Sequence, residues 1–170
     1  MAGLPPGKDQ DDAARTVVTR WAASEPDGAA AWLAKFPEGD VRADGMRALM
    51  LSWGRNHAEA AANYLNTLPA GVSRDKAVTA FVDAFDSRNP EMAARWVTQI
   101  PGDEKSLHAR IEKIAGYWLR YDEEAAKNWL ATVGLPEERR QQLLQRYQGQ
   151  ATRISSEYRF GDGGNLMIAR

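Results

Sequence analysis

A chain of 170 residues with 22 basic and 23 acidic side chains is long enough for one domain with a sizeable core, and its formal charge of -1 gives no bulk attraction to nucleic acid or an anionic bilayer. The absence of cysteine excludes disulfides, thiolate metal sites and a cysteine nucleophile, while 44% hydrophobic and 26% charged residues is the balance of a folded chain. No apolar run reaches the roughly 18 to 20 residues needed to cross a bilayer, and Met1 to Lys8 lacks the basic flank and apolar stretch of a signal peptide. The compartment stays open, cytoplasmic by default and with an exported fragment as the alternative.

Laid against itself, the chain repeats with a period near 32 residues. A first helix opens each copy. Its apolar stripe is Ala14, Val17, Val18 and Trp21, then Met46, Leu49, Met50 and Trp53, then Val78, Phe81, Val82 and Phe85, then Ile111, Ile114, Ala115 and Trp118. The spacing i, i+3, i+4, i+7 puts each set on one face of an α-helix. A shorter second helix follows. It carries an alanine pair (Ala29-Ala30, Ala61-Ala62, Ala93-Ala94, Ala125-Ala126), a second aromatic (Trp32, Tyr64, Trp96, Trp129), an aliphatic (Leu33, Leu65, Val97, Leu130) and a bulky apolar residue (Phe36, Leu68, Ile100, Val133). Three of these helices stop before Pro37, Pro69 and Pro101, because a residue ahead of proline is pushed out of the helical region. Asn89 and Asp122 stand at N-cap positions, and His57 holds the same place one copy earlier.

The two aromatic columns take up all six tryptophans, which reads as core, with the rings filling the space between successive helix pairs. A fifth, partial copy follows as Leu143, Leu144 and Tyr147, with Arg140 where the first apolar residue belongs. A charge there suits a solvent-facing cap. The fold class expected is all-α: a right-handed α-α superhelix, or solenoid, of about four helical hairpins with a capping helix and an irregular tail. The repeat domain spans 1-149 and the tail 150-170.

The pattern of Ala-Ala, then an aromatic-aliphatic pair, then an apolar-Pro pair in paired helices resembles the tetratricopeptide repeat and related helical-hairpin repeats. It looks most like degenerate repeats of about this length in bacterial proteins. The resemblance covers residues 13 to 148, and it implies interaction with another protein or a peptide along a curved groove.

In the tail, Tyr158-Arg159-Phe160 and Leu166-Met167-Ile168 flank Gly161-Asp162-Gly163-Gly164, which reads as a short β-hairpin, a partner-binding arm or a mobile terminus. The glycine turn has no following lysine-serine pair or helix start to make it a phosphate cradle. His57 and His108 lie 51 residues apart, with no carboxylate at metal-ligand spacing, so neither reads as a ligand or base. The acidic runs Asp9 to Asp12 and Asp122 to Glu124 read as helix starts and not as metal ligands. No cofactor, metal or catalytic residue is expected, and the chain reads as non-enzymatic.

Basic and acidic residues alternate over the first helices, among them Arg42, Arg47, Arg55, Arg74 and Arg110 beside Asp40, Asp44, Asp75 and Glu112. Interspersed signs describe a solvated face and argue against nucleic-acid binding. The expected function is a protein- or peptide-binding scaffold using the concave face lined by the first helices. Arg47, Asp83, Arg110 and Tyr117 are the polar off-stripe candidates for contact with a partner. The alternative is a structural role, with self-assembly through the stack ends or the tail; the oligomeric state stays open.

Overall fold

The computed structural model describes residues 8–160 and 166–168. The protein is all-α, with nine α-helices among the described residues and a three-residue antiparallel strand pair at the C-terminal end. It divides into two compact units, residues 1–110 and 111–170.

In the first unit the helices are α1 (Lys8–Trp21), α2 (Pro26–Leu33), α3 (Asp40–Asn56), α4 (Ala58–Thr67), α5 (Val72–Phe85) and α6 (Pro90–Trp96), the last tightening into a single 3-10 turn at Val97–Gln99. The next helix, α7 (Glu104–Trp118), begins in this unit. Each boundary has a local cause. Pro26 and Pro90 sit in the first turn, where a missing N–H costs nothing. The Asn89 side chain accepts from the Met92 N–H at 3.1 Å and Asp103 from the Ser106 N–H at 2.7 Å, so two helix starts are capped. His57 is the N-cap residue of α4 but makes no side-chain cap hydrogen bond, and it is exposed. Leu68 and Ile100 turn extended ahead of Pro69 and Pro101, which ends the second helices where expected.

The start of α5 is capped from a distance. Gly71, its N-cap residue, has φ 156°, a region that favours glycine, and it has no side chain to offer. Glu38, in the loop before α3, supplies the acceptor: Ser73 donates its N–H to Glu38 Oε1 at 2.7 Å and its hydroxyl to Oε2 at 3.0 Å. A Cβ on Gly71 would approach Glu38 Oε1 to 3.0 Å. That backbone hydrogen bond, and then the hydroxyl and Arg42, hold the Glu38 carboxyl below its ordinary range despite some desolvation.

Helix α3 packs on α1 and on α5, and each of α1, α3 and α5 packs on the shorter helix that follows it. The stripes explain this. Met46, Leu49, Met50 and Trp53 of α3 and Val78, Phe81, Val82 and Phe85 of α5 are all buried. Burying such side chains supplies about 1.5–3 kcal/mol each, the largest favourable contribution to this core. Small residues set the helix spacing. A Cβ on Gly45 would lie 2.3 Å from Leu33 Cδ2, so the Leu33 side chain of α2 occupies the space that a side chain on α3 would need.

The aromatic columns meet the expectation that they fill the gaps between helix pairs only in part: the Phe85 ring of α5 lies 3.1 Å from where a Cβ on Gly54 of α3 would stand. Their rings meet inside a pair: Trp21 with Trp32 at 6.4 Å and Trp53 with Tyr64 at 5.3 Å. In the third pair Phe81, not Phe85, meets Trp96, at 5.9 Å. Eleven residues separate the first two partners, enough to finish one helix, turn and run most of the way along the next.

The second unit comprises α7 from Ile111 onward, α8 (Glu123–Leu130), α9 (Glu137–Glu157) and the strands β1 (Tyr158–Phe160) and β2 (Leu166–Ile168). Asp122 caps α8 by accepting from the Ala125 N–H at 3.0 Å, and Trp118 meets Trp129 at 5.6 Å. Ile111, Ile114, Ala115, Leu119, Ala126, Leu130, Leu135 and Leu143 are buried. Arg140 is half-buried; it pairs with Glu137 and reaches the Leu130 carbonyl at 3.5 Å, so it closes the end of α8 instead of facing solvent. Helix α9 runs through 149/150, where the sequence expectation ended the repeat domain. Gly149 costs a helix only about 1 kcal/mol against alanine, and no proline lies between 148 and 157 to stop it. The strands pair as Tyr158 with Ile168, Arg159 with Met167 and Phe160 with Leu166; the glycine turn between them lies outside the described residues.

Candidate functional site

On α3, Asp44, Arg47, Leu51 and Arg55 follow the spacing i, i+3, i+7, i+11, which places them in one row beside the apolar stripe. Thirty-two residues later α5 and the turn after it present Lys76, Thr79, Asp83 and Ser87 in the same order. Two cavities open between these rows. The larger, about 400 Å³, is lined by Asp44, Arg47, Asp75, Lys76, Thr79 and Pro101. The smaller, about 220 Å³, is lined by Leu51, Arg55, Asp83, Ala84, Ser87 and Arg88. Because they share the two rows, they lie in succession along one groove.

Ion pairs cross the groove and its margin. Lys76 Nζ donates to Asp44 Oδ1 at 2.8 Å and lies 3.8 Å from Asp40. The Asp44 hydrogen bond, against a smaller desolvation effect, holds the Lys76 ammonium above its ordinary range. Arg110 Nη1 donates to Asp83 Oδ1 at 2.7 Å, tying the start of α7 to α5. Three cations are left over: no described carboxylate forms an ion pair with Arg47, Arg55 or Arg88.

The four residues singled out from sequence therefore divide. Arg47 lines the larger cavity and Asp83 the smaller. Asp83 and Arg110 neutralise each other, so they act as a joint between helices before they act on anything else. Tyr117 is half-buried on α7 in the other unit. Sequence reasoning missed Arg88, Lys76, Thr79 and Ser87, and counted Arg55, Asp44 and Asp75 only as members of a mixed-charge face. The signal for Lys76, Thr79 and Ser87 was the 32-residue offset applied to polar columns, since 44, 47, 51 and 55 map onto 76, 79, 83 and 87; that offset does not reach Arg88.

The second unit has its own surface cavity, about 900 Å³, lined by Glu112, Glu138, Arg139, Gln142, Gln145 and Arg146. Its charges are matched. Arg139 Nε donates to Glu112 Oε1 at 2.7 Å, and Arg146 lies 3.9 Å from the other carboxylate oxygen. Of the histidines, His57 is exposed, whereas His108 is buried with Nε2 3.6 Å from Glu104 Oε1, one turn earlier. The sequence expectation gave neither histidine a carboxylate at metal-ligand spacing; the i, i+4 contact on α7 corrects that for His108.

Among the described residues no group of three or more His, Asp or Glu side chains is placed to hold a metal ion, and no helix is long and apolar enough to cross a membrane. Comparison with protein-family models, with curated proteins and with solved structures finds no match to this chain.

Proposed function

We propose that the protein is a non-enzymatic scaffold of the tetratricopeptide-like kind, a right-handed stack of helical hairpins whose first helices present a groove to a peptide segment of a partner protein. The observation that carries this reading is the pair of cavities in succession between α3 and α5, lined by repeat-related polar residues that the core does not use. At about 400 Å³ the larger falls in the range of ligand-binding clefts. Crossing ion pairs such as Lys76–Asp44 hold its walls in place, so little side-chain ordering remains to be done on binding.

Selection of a phage-displayed random peptide library on the protein tests this. The selected peptides are expected to lose about tenfold or more in affinity on Thr79→Arg, which fills the groove, and to keep their affinity on Asn63→Arg, on the exposed side of α4. Equal binding to both variants rejects the groove. A wild-type protein that selects no peptide but self-associates, with self-association lost on removal of residues 150–170, replaces this reading with an assembly role.

A further inference from the structure

Resting on that reading, we infer that the peptide is acidic, and that the smaller cavity, between Arg55 and Arg88, is the subsite for an aspartate or glutamate side chain. Its lining holds two guanidinium groups and one carboxylate, and that carboxylate, Asp83, is committed to Arg110 at 2.7 Å. Arg55 and Arg88 thus line the cavity with no ion pair to a described carboxylate, and Ser87 lines it with them. Guanidinium forks bind carboxylates in a planar, two-bond geometry, so a pair of them without partners is complementary to an incoming carboxylate. Size points the same way: about 220 Å³ lies below the range for nucleotide- or drug-sized ligands and admits a short side chain.

The larger cavity does not share this preference. Asp44 and Asp75 balance Arg47 and Lys76, so it takes a neutral side chain. The two sites have a fixed offset. From Arg47 to Arg55 is two helical turns, or about 12 Å at 1.5 Å per residue. An extended peptide covers that distance in three to four residues at about 3.3 Å each. The expected ligand is an extended segment with a carboxylate three or four positions from a neutral anchor.

The test uses the same library, selected in parallel on the wild-type protein and on Arg55→Glu/Arg88→Glu. Both arginines are exposed, so the variant folds, as its helical circular dichroism is expected to verify. The wild-type pool is expected to concentrate Asp or Glu at one position, and the charge-reversed pool Lys or Arg at that position. For a selected peptide, Glu→Gln should weaken binding to the wild type about tenfold and to Arg55→Ala/Arg88→Ala hardly at all. A pool sensitive to Thr79→Arg but with no acidic position overturns this inference and leaves the groove standing. Phosphoserine binding tightly where glutamate binds no better than glutamine overturns the carboxylate assignment. Failure to select any groove-dependent peptide rejects both.

Discussion

Helices α1 and α3 carry matching stripes 32 residues apart, yet Leu49 of α3 is fully buried and its counterpart Val17 of α1 is 39% exposed. Trp53 is buried, whereas Trp21 is only half so. The difference lies in the neighbours. Helix α3 packs on four helices, α1, α2, α4 and α5, while α1 packs on α2 and α3. A stripe states which face of a helix is to be covered; how far it is covered depends on how many helices arrive.

Substitutions break or sharpen that contrast. The largest effect is expected from Leu49→Ala, which removes a fully buried side chain from a helix that packs on four others and so cannot collapse: about 2–5 kcal/mol by urea denaturation. A loss near 0.5 kcal/mol would mean that α3 is no better enclosed than α1. Glu38→Gln comes next. It weakens the cap that the loop before α3 gives to α5, and the loss expected is about 1 kcal/mol, because the carboxylate is half-exposed and screened. Its pH dependence follows from the lowered carboxyl value. The stabilisation is complete above the ordinary value of 4.5 and disappears as pH falls through the lower value of the folded state. Acid titrations of the two proteins should therefore differ above that window and converge below it. Convergence at all pH values would show that the cap adds nothing. The smallest effect is expected for Val17→Ala, about 0.5 kcal/mol or less, since solvent already reaches that side chain.

Much of the architecture was legible from spacing alone. The stripes of α3 and α5 are buried as read, and Pro69, Pro101, Asn89 and Asp122 stop or cap helices through local sterics and hydrogen bonding that need no tertiary knowledge. What depends on a partner far away in sequence was not. Glu38 caps α5 from 35 residues upstream, and Arg140 is drawn inward toward the Leu130 carbonyl. The site shows the same limit. Arg47 and Asp83 could be picked as polar residues off the stripe, but that Asp83 is held by Arg110 while Arg55 and Arg88 go without is a matter of distances that composition does not contain. Helix α9 continues to Glu157 past the point where the repeat pattern stops, because the loss of a repeat's apolar columns does not by itself end a helix.

The hydrogen bonds that join one helix to another also bear on how fast the chain folds. Glu38 to Ser73, Asp44 to Lys76, Asp83 to Arg110 and Glu112 to Arg139 span 35, 32, 27 and 27 residues. Each of those loops is short for a chain of 170 residues, and closure entropy grows only with the logarithm of loop length. No long-range closure has to precede the first favourable contact. Low contact order of this kind belongs to chains that fold in microseconds to milliseconds, and here it means that in a nascent chain each of these contacts can form once no more than 35 further residues have followed its first partner.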